Sequence, residues 1–273
     1  MRDAKRVSVL KLKGRAANDV EDDVVVEEPL EIRVNNCSAG VTMRTPGHDF
    51  DLAAGFLLTE CYISHLDEIG TIAYCPDEEH PELKNIVNVT LVDTRKQFDS
   101  PRRAWSSSSC GLCGKSTLDA IRQTVKPSES RLTISREILV QLPEKMLLSQ
   151  PNFSRTGGIH AAALFDAFGK LILIREDLGR HNAVDKVLGA ALRERANPGD
   201  LVLVVSGRLG FEIAQKAAVA GIPIVASVSA PSSLAIELAA DFGMTAAGFV
   251  RGNSMNIYSH PERITHGISE YSA

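Results

Sequence analysis

Cys110 and Cys113 stand two residues apart in the stretch SSSSCGLCGK, Ser106 to Lys115, and each is followed by a glycine. A thiol pair at this spacing can clip a metal, cycle as a redox disulfide, or carry sulfur as a persulfide. A closed zinc site needs four ligands, and nothing spaces Cys37, Cys61, Cys75, His160 or His181 to complete one. A thioredoxin-like pair would follow the opening strand of a βαβ unit, whereas a polar linker from Thr94 to Arg103 precedes this one. Two thiols buried in a plain turn fit poorly beside four serines and two glycines. The residues after the pair, GKSTLDAIRQTV, predict a helix: Ser116 and Asp119 form a capping-box-like start, and Leu118, Ile121 and Val125 share one face. The positive end of that helix, with Arg102, Arg103 and Lys115 nearby, favours thiolate over thiol. A glycine-hinged loop that exposes reactive sulfur is the reading these residues support best, with the metal and redox readings still open.

Three strand ends supply a second constellation. LVLVVSGRLGFE places Ser206, Gly207 and Arg208 before a helix; IVASVSAPSSLA places Ser229 to Ser233 before another; AAGFVRGNSMNIY places Arg251, Gly252 and Asn253 after a third strand. In an open parallel sheet, ligands bind outside the carboxyl ends of the strands, where helix N-termini offer amides to anions. Arginine forks suit phosphate, so the three turns together point to a phosphate-bearing ligand. Solvated helix caps are the plainer alternative for each turn taken alone. The segment REDLGRHNAVDK gathers Arg175, Glu176, Asp177, Arg180, His181, Asn182, Asp185 and Lys186, with His181 and Asp185 one helical turn apart. It reads as a functional cluster. His160, in TGGIHAAAL, reads as a satisfied strand histidine rather than a catalyst, with preceding glycines that leave room for a ligand to come close. MRTPGHDFDLAAG reads either as a docking loop or as a plain turn capped by Asp49 or Asp51.

The elements that must position these groups fall into two rhythms. Residues 1–23 are polar and charge-rich and are expected to form a flexible N-terminal tail. Residues 24–145 predict a mixed α+β lobe: strands in PLEIRVN and KNIVNVTLVD, a helix in DFDLAAGFLLTECYI, then the cysteine loop. Residues 146–273 predict a three-layer α/β/α lobe. A hairpin around Asp166 to Gly169 comes first, and then helices alternate with apolar strands, implying a mostly parallel sheet. The fold class expected is therefore α/β. The chain has 273 residues, 44% of them hydrophobic and 23% charged, and a net charge of −4. That balance suits a globular protein and argues against nucleic-acid binding. No apolar run spans a bilayer or resembles a signal segment, so a soluble, cytoplasmic protein without a membrane partner is expected. The remaining cysteines, Cys37, Cys61 and Cys75, read as small core residues.

Taken together, TMRTPGHDFDLAAGFLLTE, SSSSCGLCGK, TGGIHAAALFD, REDLGRHNAVDK, VSGRLGFEIAQKAA, SVSAPSSLAIELA and GFVRGNSMNIY resemble the formate dehydrogenase accessory sulfurtransferase (FdhD-type) family, from about Glu27 to Arg263. The resemblance implies a sulfur carrier. It would accept persulfide sulfur from a cysteine desulfurase and pass it to the molybdenum cofactor, Mo-bis(molybdopterin guanine dinucleotide), required by the formate dehydrogenase catalytic subunit. It also implies a second lobe similar to the cytidine deaminase fold, and a homodimer. The persulfide falls on Cys110 and Cys113, and part of the cofactor contact on Phe249, Val250, Arg251, Gly252, Asn253 and Ser254. With Ser206, Gly207, Arg208, Ser229 and His181 these complete the expected cofactor-binding set, for which GDP or GMP would be a partial mimic. The zinc-deaminase signature is missing from the second lobe, which disfavours deamination. The rival functions are a chaperone that holds the cofactor without transferring sulfur, and a zinc-bound regulator.

Overall fold

The computed structural model describes residues 3–76, 84–94 and 125–265. Its first element corrects the expected tail. Strands β1 (Ala4–Lys13) and β2 (Ala16–Val25) pair antiparallel over their whole length, from Ala4 opposite Val25 to Lys13 opposite Ala16. Val7, Val9 and Val20 alternate with polar residues at the period of a strand, and Gly14, at φ +61°, makes the turn. An isolated two-stranded ribbon is marginal in water. This one is tied down at its root, where Val26 N–H donates to the Asp3 carbonyl and Arg155 meets Asp3 and Asp23.

A mixed four-stranded sheet follows, in the order β4-β3-β6-β5, built from β3 (Glu28–Val34), β4 (Cys37–Arg44), β5 (Ile69–Tyr74) and β6 (Ile86–Leu91). Helix α1 (Asp49–Thr59) contributes Leu52 and Leu57 to the core that holds Leu30, Ile32, Val87 and Val89. Its N-cap is His48, in the left-handed region at φ +56°, and Asp49 and Asp51 lie inside the first turn. Cys37 is exposed and Cys61 and Cys75 are partly buried, so none of the three is the fully buried core residue expected.

The second sheet has six strands in the order β13-β12-β11-β10-β8-β9. Before it come β7 (Ile134–Ser135), α2 (Arg136–Leu139), α3 (Leu142–Leu148) and α4 (Pro151–Thr156). The sheet and its helices are β8 (His160–Phe165), β9 (Leu171–Asp177), α5 (Arg180–Arg193), β10 (Val202–Val205), α6 (Phe211–Val219), β11 (Ile224–Ser227), α7 (Ser233–Asp241), β12 (Thr245–Arg251) and β13 (Ser254–Ser259). A last strand, β14 (Ile264–Thr265), pairs with β7. Side chains alternate between two cores, as the pleat requires. Leu203 and Val205 of β10 face one core with Val187 of α5 and Ile213 of α6, while Val202 and Val204 face the other with Leu142 and Met146 of α3. Three layers result. Helix α3 straddles the division expected at residues 145 and 146, and it packs on the six-stranded sheet.

The expectation of a mostly parallel sheet needs correcting. Only β10–β11 and β11–β12 are parallel, whereas β8–β9, β8–β10 and β12–β13 are antiparallel. The connections explain this: β8 reaches β9 and β12 reaches β13 through tight turns, which cannot span a parallel crossover.

The two sheets are joined through α1 and α5, which meet at glycines. A Cβ added to Gly55 would lie 1.8 Å from the Asp185 carbonyl oxygen, and one on Gly189 would lie 1.9 Å from that of Asp51. Contact this close is possible only without side chains at the crossing.

Candidate functional site

The carboxyl ends of β10, β11 and β12 are stitched sideways. Ser227 Oγ donates to the Gly207 carbonyl at 2.6 Å and accepts from Ser229 N–H at 3.1 Å. The Ser229 carbonyl in turn accepts from Phe249 N–H at 3.0 Å. Phe249 sits at φ +53°, a conformation non-glycine residues rarely adopt, within a register shift of β12. This kink carries the chain to Gly252, at φ +58°, in the turn that leads to β13. Arg251 is exposed, its guanidinium 5.9 Å from the centre of the Phe249 ring.

A cavity of about 1020 Å³ opens at this edge. One wall is Ser206, Val250, Arg251, Gly252 and Asn253; another is His160 with Gly157 and Gly158; helices α3 and α4 close it with Met146, Leu147 and Phe153. A volume this size accommodates a nucleotide-sized ligand. His160 is therefore both a hydrogen-bonded strand histidine and a cavity residue, with Gly157 and Gly158 beside it in the lining. The two glycines before it were the available signal. Its Nδ1 lies 3.3 Å from Ser206 Oγ, which also accepts from Ala161 N–H at 2.9 Å. Burial, with the charges of Arg180 and His181, holds the His160 imidazole below its usual pKa.

The expected cofactor set divides. Ser206, Val250, Arg251, Gly252 and Asn253 line the large cavity. Phe249, Gly207 and Ser229 build its edge from behind through the hydrogen bonds above. Arg208 and Ser254 are exposed and lie outside the lining. His181 faces a second cavity, of about 270 Å³, shared with Asp185, Glu212, Lys216 and residues of β4 and α1. There His181 Nε2 lies 2.6 Å from Glu212 Oε2, holding the Glu212 carboxyl below its usual pKa. Most of the REDLGRHNAVDK cluster proves to be internal fastening. Lys186 Nζ lies 2.7 Å from Asp177 Oδ2, both fully buried, and Asp177 also accepts from Thr45 N–H of the first half. Arg175 holds Asp51, Glu176 accepts from the N–H groups of Asn152 and Phe153 at the start of α4, and Asp185 pairs with Lys216. Cys110, Cys113 and the helix expected after them lie outside the described residues. Among the described residues, no group of three or more histidine, cysteine, aspartate or glutamate side chains could hold a metal ion. No described helix is long and apolar enough to cross a membrane.

The fold and this edge define an α/β protein with a ligand cavity at the carboxyl ends of a mixed sheet. The sequence profile of the FdhD/NarQ family matches residues 25–265, and the chain belongs to that family. It is 47% identical to the sulfur carrier protein FdhD of Streptomyces avermitilis, with 95% of each chain covered. It is 46% identical to the protein of the same name from Sulfolobus acidocaldarius, with 95% of this chain and 98% of the relative covered. Among solved structures, a putative formate dehydrogenase accessory protein from Desulfotalea psychrophila superposes with a TM-score of 0.78 at 26% identity, covering 97% of this chain and all of the other.

Proposed function

We propose that this protein is a cytoplasmic sulfur carrier serving formate dehydrogenase. Cys110 attacks the outer sulfur of a cysteine desulfurase persulfide, releasing the donor thiolate and leaving Cys110 as the persulfide. Attack of the Cys113 thiolate on the inner, Cys110 sulfur then breaks the S–S bond, releases the outer sulfur as hydrosulfide and leaves a Cys110–Cys113 disulfide, and the hydrosulfide passes to Mo-bis(molybdopterin guanine dinucleotide) as substrate. No net oxidation occurs in the first step, since a zero-valent sulfur only exchanges thiolate partners. The observation that carries the proposal is the large cavity at the strand ends, where Arg251, Gly252, Asn253 and Ser206 converge. Its polar edge suits phosphates and a guanine rim, and its apolar helical wall suits a flat heterocycle. The names of the curated relatives and of the structural neighbour support the same reading. A homodimer is part of the proposal.

Mass spectrometry after incubation with a desulfurase and cysteine tests it. The parent protein should gain the mass of one sulfur atom, and Cys110→Ala should not. An adduct that persists in both Cys110→Ala and Cys113→Ala ends the carrier role. Single-turnover transfer of labelled sulfur to the molybdenum cofactor separates a carrier from a chaperone that only holds the guest.

A further inference from the structure

Arg180 differs from the other arginines of the interior. Arg44 is held by Asp49 and Glu28, Arg175 by Asp51, and Arg263, although its own Nε is unpartnered, by the carbonyls of Ser130 and Gly243. Arg180 is partly buried, its Nε is fully buried without a hydrogen-bond partner, and no carboxylate among the described residues pairs with it. A guanidinium cannot shed its proton to escape this cost.

The nearby acids are already committed. Asp177 is taken by Lys186, Gly179 N–H and Asn182, and Glu212, although it feels the charge of Arg180, is hydrogen-bonded to His181. The first turn of α5 adds no acidic residue. Arg180 stands just behind the lining of the large cavity, beside His160 at Gly207. A Cβ on Gly207 would sit 3.4 Å from Arg180 Cδ and 3.5 Å from His160 Cε1, so the arginine stem packs in contact with the turn after Ser206. His160 and Ser206 both line that cavity.

We infer that Arg180 is the counter-cation for a phosphate group of the guest, the diphosphate of a guanine nucleotide seated against His160 and Ser206. The inference rests on the strand-end cavity being the nucleotide pocket. It adds a residue that neither the turn chemistry of Arg208 nor that of Arg251 supplied. Among the described residues that cation has no counter-charge, and the ligand would supply one, so the residue works against stability and for binding.

Calorimetric titration of the full-length protein with GDP and with GMP, alongside thermal melts without ligand, tests this on Arg180→Gln and Arg180→Lys. Arg180→Gln should melt at or above the parent while binding GDP about tenfold more weakly, the scale of one charge-assisted contact. It should also lose the parent's preference for GDP over GMP, and Arg180→Lys should restore part of both. Unchanged GDP affinity in Arg180→Gln, with the parent binding normally, overturns the role of Arg180 and leaves the pocket intact. Equal losses for GDP and GMP, or a lower melting point without ligand, assign Arg180 to the scaffold and overturn it too. A parent that binds neither nucleotide overturns the pocket reading, and the inference with it.

Discussion

Lys216→Met should be among the most damaging single changes in the second half of the chain. Lys216 Nζ lies 2.9 Å from Asp185 Oδ2, 3.0 Å from Thr59 Oγ1 and 3.3 Å from Glu60 Oε1. The lysine is 6% exposed and the aspartate 3%. At an effective dielectric of about 20 the nearest pair attract by roughly 6 kcal/mol, which desolvation of both ions offsets almost entirely. Burial alone would lower the Lys216 pKa, but the carboxylates of Asp185 and Glu60 outweigh it and hold the value above normal. Removing only the cation leaves Asp185 charged beside Glu60, at a cost of about 3–5 kcal/mol out of a total stability of about 5–15. Urea unfolding followed by circular dichroism at pH 7 should show that loss, and Lys216→Met/Asp185→Leu should recover at least about 2 kcal/mol of it. Burial pushes the Asp185 carboxyl above its usual value, so the folded state binds the extra proton and the single variant's deficit should shrink as pH falls from 8 to 5. A single variant within about 0.5 kcal/mol of the parent, the range of an ordinary surface change, refutes the reasoning.

Gly189→Ala drives a methyl into the Asp51 carbonyl, and overpacking against backbone should cost about 3 kcal/mol or more by the same assay. Burial works against ionisation of Asp51, yet hydrogen bonds from His48, Arg175 and Arg193 bring its pKa down to about 2. Stability it contributes is present above the unfolded value and lost as pH falls through about 2. Asp51→Asn should therefore flatten the acid limb between about pH 4 and 2 by up to about 2 kcal/mol, less where solvent screens the half-exposed Arg193. Tyr74 is partly buried, and its hydroxyl donates to Asp49, so both effects raise its pKa above the ordinary phenol. Absorbance titration should show it ionising only on unfolding, and Tyr74→Phe should remove that late step.

The second-half strands and helices were legible because each apolar run is bounded by its own turn: Ser206-Gly207-Arg208 and Ser229 to Ser233 mark β-to-α junctions by local chemistry alone. Strand direction was not, because the order in a sheet depends on which neighbours close the edges, and β9 and β13 return through turns as short as Gly252-Asn253. The opening ribbon hid behind its charges: Lys5, Arg6 and Lys11 against Asp19, Glu21 and Asp23 look like a solvated tail until the valines between them are counted in twos. The cavity's strand-end residues were likewise readable, since a turn after an apolar strand announces itself. Its far wall, from α3 and α4, came from residues such as Met146 and Phe153, which lie 53 (Phe153 to Ser206) to 107 (Met146 to Asn253) positions earlier, and no local pattern marks that distance. His181 and Asp185, one helical turn apart, do line one small cavity, but their partners Glu212 and Lys216 sit on another helix.

Where two helices touch backbone to backbone there is no cushion of side chains to absorb a displacement. At the meeting of Gly55 and Gly189, a nudge at one end of α5 must be passed on whole. The start of α5 carries Arg180 and His181, and its middle carries Asp185 and Gly189. An anion drawn to Arg180 would therefore press, through one rigid rod, on α1 and the four-stranded sheet beyond it.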